Sequence, residues 1–188
     1  MTVPKNKERR TQAQRREATQ ANLINAARQL FGERGYGDTS LEDIAAACNV
    51  TIRPIYHYFE NKLGMFKAVV ENIEQEDVAK IRGHNDPNIA DIWSGFMQNC
   101  EDPYYRQIIL IDAPTLLGRR AMTEGAITMA ACEESAKVLG RRPDGLTMSL
   151  LFGALSSAAF YIAEHGAKPE DYDRIRALIE FHSKKRIK

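Results

Sequence analysis

Residues 40–59 constrain the fold of this 188-residue chain most, because they carry the signals for two short helices joined by a tight turn. Ser40 and Asp43 match the Ser/Thr-x-x-Asp/Glu pattern, in which two side chains satisfy unpaired backbone donors at a helix start. Asn49 is the expected turn residue, since asparagine tolerates a positive φ better than most residues. The pattern therefore predicts a first helix that begins after Ser40 and stops at Asn49.

The apolar residues of this stretch predict one shared inner surface. In the first short helix they recur at helical spacing, at Leu41, Ile44, Ala45 and Cys48. We expect Thr51 to cap the second helix, and Pro54 falls in its first turn, where a missing N–H is tolerated. Ile55 and Phe59 are four residues apart and face the first helix. This layout is typical of a helix-turn-helix, whose second helix lies in the major groove of DNA.

Several stretches around this motif resemble the N-terminal domain of TetR/AcrR-type transcriptional repressors. The matching stretches are Leu23–Tyr36, Thr39–Val50, Ile55–Phe59 and the pair Asn61 and Lys62. Two positions depart from the family pattern: Asn49 stands where glycine is usual, and residues 51–54 replace a Ser-Lys-Gly-Thr-like run. The resemblance implies a DNA-binding domain but gives no operator sequence.

The first turn of the second short helix holds the candidates for reading bases. Arg53 is the first of them, because a guanidinium matches the O6 and N7 atoms of guanine. Pro54 offers an apolar face to a thymine methyl group, although packing alone also explains it. Thr51 and Ile52 are further candidates. These four residues are expected to decide which sequence the protein prefers.

A second group of residues is expected to contact the DNA backbone. The resemblance implies that Tyr56 and His57 contact phosphates or neighbouring bases. It also implies that Lys62 is the phosphate-binding lysine, at the positive N-terminal end of the fourth helix. Thr39 and Ser40 are additional phosphate candidates, but capping the helix is a sufficient role for them.

Charge is distributed unevenly along the chain. Residues 1–62 contain ten Lys/Arg and seven Asp/Glu, whereas residues 63–188 contain sixteen and eighteen. A basic N-terminal part is typical of a DNA-facing end. We expect residues 1–18 to form a basic arm that is disordered at its start and either enters the minor groove or stays a solvated tail.

Beyond the arm, helical periodicity predominates and no stretch shows sustained β alternation, so we expect an all-α fold. The expected organisation is a three-helix DNA-binding domain at 19–62, followed by a helical effector-binding and dimerisation domain at 63–188, with about nine helices. The first helix is expected to begin at Thr19 and end at Gly35, with a fourth from Asn61 to about Ile81 and a loop at His84–Pro87. Further helices are expected through the stripe Ile89, Ile92, Trp93, Phe96 and Cys100, over Pro103–Asp112 with a stop near Pro114, over Arg119–Leu139, over Pro143–His165 and over Pro169–Lys184.

The large apolar residues of the second domain allow two interpretations. Each of them either fills the core or lines a ligand pocket, since such pockets are mostly apolar with a few polar groups. They are Trp93, Phe96, Met97, Tyr104, Tyr105, Met122, Met129, Phe152 and Tyr161. No buried charge pair is evident, so we expect an apolar or aromatic effector.

The uncharged run from Leu146 to Ala163 is long enough to be weighed as a membrane span. It contains serines and threonine and lacks a flanking aromatic belt, so we expect a helix buried between subunits and no membrane contact. Small residues crowd its centre, at Gly153, Ala154, Ser156, Ser157, Ala158 and Ala159. The last two helices of each subunit are therefore expected to form a four-helix homodimer interface.

The cysteine pattern and the absence of catalytic motifs limit the remaining function classes. Cys48, Cys100 and Cys132 are far apart and show no metal-binding spacing, which fits a reducing cytoplasm and no cofactor. A redox role for Cys100 and Cys132 is a weaker alternative than two inert core thiols. No nucleophile–base pair, carboxylate dyad or phosphate loop is evident, so we do not expect an enzyme.

The sequence thus predicts a homodimeric transcriptional regulator that binds a palindromic double-stranded DNA operator. We expect a repressor that a small-molecule effector releases. Two alternatives remain open: a regulator controlled by a protein partner, without a small-molecule pocket, and an activator.

Overall fold

The computed structural model describes residues 11–83, 95–118, 124–139, 144–166 and 168–184. Every regular element within these ranges is helical, which confirms the predicted all-α fold. The first four helices are α1 (Gln12–Arg34), α2 (Leu41–Ala47), α3 (Arg53–Phe59) and α4 (Lys62–Gly83). They are followed by α5 (95–99) and by α6, which runs from Pro103–Tyr105 through the π-helical Arg106–Asp112 into Ala113–Leu117. The last three are α7 (Ala126–Leu139), α8 (Gly145–His165) and α9 (Pro169–Lys184). The expected loop at His84–Pro87 and residues Ile89, Ile92, Trp93 and Met122 lie outside the described residues.

Helix α1 begins at Gln12, so the prediction that Thr19 caps it was wrong. Thr11 is the cap: its hydroxyl accepts the Gln14 N–H, and the Gln14 side chain accepts the Thr11 N–H. Thr19 lies within the helix and donates its hydroxyl to the Arg15 carbonyl. The helix ends at Gly35, as predicted.

The first three helices share one apolar core. Leu23, Ala27 and Phe31 of α1 are fully buried, as are Ile44 of α2 and Ile55 of α3. Isolated helices of seven residues are not stable in water. Burying each of these side chains contributes roughly 1.5–3 kcal/mol, which compensates for the unfavourable free energy of forming α2 and α3. The predicted inner residues of α2 and α3 are therefore confirmed, except that Cys48 is only half-buried.

Helix α4 packs on α1 and on α7. Met65, Phe66 and Val69 are fully buried and form the inner face of the helix. On the α1 side, Arg28 donates to both carboxylate oxygens of Glu76 at 2.8 and 2.9 Å. Helix α4 is thus the element that continues from the DNA-binding motif into the rest of the chain.

A buried carboxylate connects α4 to α5 and α6. Asp77 is only 5% exposed, and its Oδ2 accepts the Tyr105 hydroxyl at 2.8 Å. Its Oδ1 accepts the Asn99 side-chain amide at 2.8 Å and faces the Lys80 ammonium at 3.3 Å. Burial and the Asp77 charge raise the pKa of Tyr105 well above its ordinary value, so the phenol stays protonated and donates. No local pattern in the sequence predicts this cluster, because Asp77, Asn99 and Tyr105 are far apart along the chain.

Helix α6 passes through Pro114, where the sequence predicted a stop. The Ala113 N–H donates to the Ile108 carbonyl five residues back, which is the wider hydrogen-bonding pattern of a π-helix. Pro114 then occupies the first turn of the following α-helical segment. A proline is tolerated there because its missing N–H and fixed φ suit a first turn.

The buried face of α7 differs from the predicted one. The sequence placed Ala126, Met129, Cys132 and Ala136 on one inner side, with Met122 and Leu139. Instead, Ala126 and Met129 are exposed, and the most buried residues are Thr128, Ala130, Ala131, Cys132, Glu134 and Ser135. Small and hydroxyl side chains allow α7 to lie close to α4, and the buried Glu134 carboxylate is held by Lys137 at 2.7 Å.

Helix α8 has an apolar side that the described residues do not cover. Leu155, Ala159 and Ile162 are buried against the body. The opposite side carries Leu146, Leu150, Ala154, Ser157 and Tyr161, all exposed and spaced at helical intervals. By length and composition α8 also meets the criteria for a membrane-spanning helix. We call this set of five residues the apolar stripe of α8.

Candidate nucleic-acid interface

The turn between α2 and α3 is built from backbone hydrogen bonds alone. The Val50 N–H donates to the Ala45 carbonyl and the Asn49 N–H to the Ala46 carbonyl, both at 3.0 Å. These two bonds form a Schellman motif, which needs one residue of positive φ. Asn49 supplies it with φ of 52°, as predicted. The turn therefore fixes the angle at which α3 leaves α2 without a glycine.

Helix α3 presents its polar side to solvent. Its N-cap is Ile52, whose side chain makes no capping bond, so the prediction that Thr51 caps α3 was wrong. Pro54 lies in the first turn, where its ring sets φ for the helix, as predicted. Ile55 and Phe59 are buried, whereas Thr51, Arg53, Tyr56 and His57 are exposed and Ile52 and Pro54 are half-buried. The candidates for DNA contact on α3 therefore share its accessible side.

The side chain of Lys62 is held in place by two contacts within the protein. Its ammonium donates to the Gly37 carbonyl at 3.1 Å and lies 4.4 Å from the centre of the Tyr36 ring. A cation held above an aromatic face loses less conformational freedom on meeting a phosphate than one on a freely rotating side chain. Lys62 occupies the first turn of α4, where the helix dipole also favours an anion.

The junction of α3 and α4 depends on two residues whose roles the sequence reading missed. The Asn61 side chain accepts the Gly64 N–H at 2.9 Å and thereby caps α4. A Cβ on Gly64 would lie 1.9 Å from the Phe59 carbonyl oxygen, so only glycine fits. The signal for the cap was present in the sequence, since Asn precedes a helical pattern, but the close approach at Gly64 was not visible.

The structure separates the roles of Thr39 and Ser40. Thr39 is 1% exposed, and its hydroxyl lies within hydrogen-bond distance of the Leu30 and Gly35 carbonyls. A DNA phosphate could not reach this buried side chain, which argues against the predicted phosphate contact. Ser40 forms the predicted capping box with Asp43. The Ser40 hydrogen bonds lower the pKa of Asp43, with a smaller contribution from Arg34.

The candidate ligand residues of the second domain do not meet at one place. Phe96, Met97 and Tyr105 are buried, Phe152 is half-buried, and Tyr104, Met129 and Tyr161 are 39%, 37% and 56% exposed. Trp93 and Met122 lie outside the described residues. Phe152 lines a groove of about 690 Å³ between α6 and α8. Met97 lines a smaller one of about 240 Å³ beside Arg106 and Glu101.

A set of contacts joins the DNA-binding motif to α6. Asp112 accepts the Tyr36 N–H at 2.9 Å, and the Tyr104 hydroxyl donates to Glu33 at 3.1 Å. The Tyr104 side chain also covers Gly32, where an added Cβ would lie 2.6 Å from the Tyr104 Cβ. Nothing in the local sequence marked Asp112 or Tyr36 for this role, because the residues are 76 positions apart.

A short helix held by its apolar side on two supporting helices, with its polar side open and a poised lysine beside it, defines a helix-turn-helix DNA-binding protein. Residues 23–69 match the family of bacterial regulatory proteins named tetR, and residues 89–181 match the tetracyclin repressor-like C-terminal domain. The chain belongs to the TetR family of transcriptional regulators, as the resemblance of its first residues implied. Its relatives are regulators and not enzymes.

Individual relatives show which parts of the chain are shared with other regulators. The transcriptional repressor BepR of Brucella suis is 42% identical over 62 residues, which are 33% of this chain and 29% of BepR. The regulator UidR of Escherichia coli is 29% identical over 66 residues, so the match spans about a third (34%) of that protein. A TetR-family regulator of Pectobacterium atrosepticum is 31% identical, with a TM-score of 0.58 and coverage of 92% of this chain and 95% of that one. The DNA-binding part is thus shared with the first two, and the whole fold with the third.

Proposed function

We propose that this chain is a homodimeric, ligand-responsive repressor that binds a palindromic operator through α3. The observation that carries the proposal is the accessible polar side of α3, where Arg53, Tyr56 and His57 are exposed while Ile55 and Phe59 on the other side are buried. Two such helices must be held about 34 Å apart to enter successive major grooves, so dimerisation is part of the function. With the family shown, a cytoplasmic location follows as an expectation.

The apolar stripe of α8 supports the dimer. Leu146 and Leu150 are 71% and 63% exposed in a single chain. Exposing these apolar side chains to water is unfavourable, and a partner copy of the chain would bury them. A two-fold arrangement places the same stripe on both subunits, and α9 would complete a four-helix interface. A partner helix accounts for the apolar character of α8 without a membrane.

The effector is proposed to be small and apolar or aromatic. The groove between α6 and α8 supports ligand control over the alternative of a protein partner, because its volume suits a small molecule. Binding would favour one dimer arrangement over another only if the ligand has different affinities for the two. Repression and activation differ in where the operator lies relative to the promoter, and the relative BepR, which is named as a repressor, supports repression.

The DNA contacts are tested by mutation, on duplexes selected from a random pool by the unmodified protein. Arg53→Ala should relax the preference at one base pair, with a loss of about 1–3 kcal/mol. Lys62→Ala should weaken binding to all sequences alike and reduce the salt dependence by about one charge. Lys67→Ala, an exposed lysine further along α4, is the control and should change neither. Unchanged binding by both test variants would refute the assigned contacts.

The dimer is tested by a substitution on the apolar stripe of α8. Leu150→Glu places a charge on the apolar stripe and should convert the dimer to a monomer in sedimentation analysis at micromolar concentration, because burying an unpaired charge is costly. Gln98→Glu, at an exposed position on α5, is the control. A Leu150→Glu protein that remains dimeric would exclude this side of α8 as the interface.

A further inference from the structure

We infer that the first two turns of α1 form a second phosphate-binding element, in which Arg15 and Arg16 contact the DNA backbone beside the start of α3. These turns comprise residues 11–18, and we call them the extension of α1. The inference rests on the proposed function and adds a binding site outside the helix-turn-helix, whose ligand is the phosphodiester backbone of duplex DNA.

The extension is helical although it has no apolar side to bury. Residues 11–17 are all exposed, and the first buried residue of α1 is Leu23. The reciprocal hydrogen bonds of Thr11 and Gln14 nevertheless cap the helix at its first turn. Packing within the described part of the chain therefore gives the extension no role, which leaves its exposed side chains.

The extension lies beside the start of α3 and away from the second domain. Cys48 precedes the turn into α3, and its sulfur lies 3.4 Å from the Asn22 carbonyl oxygen, so the turn is level with Asn22. At the other end of α1, Glu33 accepts the Tyr104 hydroxyl of α6. Arg15 is about 27 Å from that contact along the helix, at 1.5 Å per residue. The extension therefore continues past the turn, on the side where α3 begins.

Both arginines point toward the side of α1 that holds the helix-turn-helix. Residues seven apart in an α-helix differ in direction by only about 20°. Arg15 is seven residues before Asn22, whose carbonyl meets the end of α2. Arg16 is seven residues before the buried Leu23. Neither guanidinium has an ion pair among the residues that the structure describes. Two cations on this side, beyond the edge of the folded unit, favour an anionic partner.

Basic side chains thus flank both ends of α3. This helix has seven residues and is about 10 Å long, close to the width of about 12 Å of the major groove. Lys62 follows its C-terminal end, and the two arginines lie beside its N-terminal end. With α3 in the groove, the lysine and the arginines would meet phosphates on opposite rims. A guanidinium matches two phosphate oxygens at once, and such a contact carries no sequence information.

The phosphate contact is tested by Arg15→Gln/Arg16→Gln, since glutamine removes both charges and has a similar helix propensity. Binding is measured over a range of salt concentrations, on a duplex selected by the unmodified protein and on a random duplex of equal length. Affinity for both duplexes should fall by at least about tenfold at about 0.15 M salt, and the slope of log K against log salt should become shallower by about 1.8 per subunit. Lys67→Gln, which removes an exposed lysine of α4, is the matched control and should change neither.

The position of the charge is tested at constant net charge. Arg16→Gln/Ala21→Arg moves one arginine to an exposed position whose direction differs by about 140°, at about 100° per residue. This variant should bind as weakly as Arg16→Gln alone, because the new arginine faces away from the helix-turn-helix. An affinity equal to that of the unmodified protein would show that net charge alone attracts the DNA, and would overturn the assigned contacts.

The helical form of the extension is tested by Ala18→Pro, which keeps both arginines. Proline removes the hydrogen bond to residue 14 and is well tolerated as the first residue of a helix, so α1 should begin at residue 18 instead. Circular dichroism and thermal unfolding check that the other helices are intact. On a logarithmic scale, Ala18→Pro should lose at least about half of the affinity that the double glutamine variant loses, because freely moving arginines must be ordered on binding. Unchanged binding would show that a flexible basic segment suffices, and would overturn the helical element.

The outcomes for the extension and for the proposed function can be told apart. If the unmodified protein selects a duplex and the double glutamine variant binds it with the same affinity and salt slope, the inference fails and the proposed function stands. If the unmodified protein selects no duplex but binds random DNA in a way that requires the two arginines, the inference stands and operator recognition fails. Absence of binding to any duplex overturns both.

Discussion

The buried Asp77 cluster offers a sharp test of how α4 is joined to α6. Replacing Tyr105 with phenylalanine keeps the ring and removes only the hydroxyl that donates to Asp77 at 2.8 Å. Hydrogen bonds to a charged group contribute about 1.5–3 kcal/mol, and no cavity forms, so we expect a loss of that size in the free energy of unfolding. Urea unfolding at pH 7 and fixed protein concentration measures it, with an unchanged m-value.

The same substitution at Tyr104 is the matched control. Tyr104 also donates to a carboxylate, that of Glu33, but both groups are exposed, so water replaces the lost bond. Tyr104→Phe should therefore change the stability far less than Tyr105→Phe. Equal losses for the two variants would refute the argument that burial makes the Asp77 bond strong.

The pH dependence gives an independent reading of Tyr105. Burial first, and then the Asp77 charge, raise the pKa of this phenol well above its ordinary value. Above pH about 10 the unfolded chain releases the proton while the folded chain retains it, so stability falls as the pH rises. Below pH 10 this contribution is fully present. The free energy of unfolding of Tyr105→Phe should therefore fall less steeply above pH 10 than that of the unmodified protein. Identical profiles above pH 10 would contradict a raised pKa for Tyr105.

Two further predictions concern single sites. Gly64→Ala should cost at least about 2 kcal/mol in thermal or urea unfolding, because its Cβ would meet the Phe59 carbonyl at 1.9 Å, whereas Gly37→Ala has open space and should be neutral. Equal stabilities of the two variants would contradict the close approach. Burial raises the pKa of Cys100 to about 12, so at pH 8 only about one molecule in ten thousand carries the thiolate. Cys100 should therefore react with a disulfide reagent only after unfolding, and rapid reaction in the folded protein would restore the redox hypothesis for Cys100 and Cys132.

Features set by local chemistry were predictable from the sequence. The Ser40–Asp43 box, the positive φ of Asn49 and the end of α1 at Gly35 each depend on residues a few positions apart. The start of α1 carries a comparable signal, the Thr11–Gln14 capping box, but no large apolar residue lies in its first two turns to form an amphipathic pattern. Hydrophobic periodicity alone therefore predicts a later start for this helix.

Features set by tertiary contacts were not predictable. Pro114 reads as a helix stop, and only the π-turn before it lets the helix continue. The buried side of α7 follows its close packing on α4 more than hydrophobicity, since Thr128 and Glu134 are buried there and Met129 is exposed. The DNA-contact candidates on α3 could be predicted from the motif alone. The hydrogen bond between Asp112 and Tyr36 could not, because it joins residues 76 positions apart in the sequence.

The extended start of α1 determines where the basic N-terminal residues are attached. The segment from Thr11 to Ala18 adds about 12 Å of rod, at 1.5 Å per residue, beyond the first expected helix start. Thr11 therefore lies at the far end of an exposed rod and not on the globular unit itself. A small tilt of α1 about its buried end at Phe31 would move Thr11 further than any other residue of the helix.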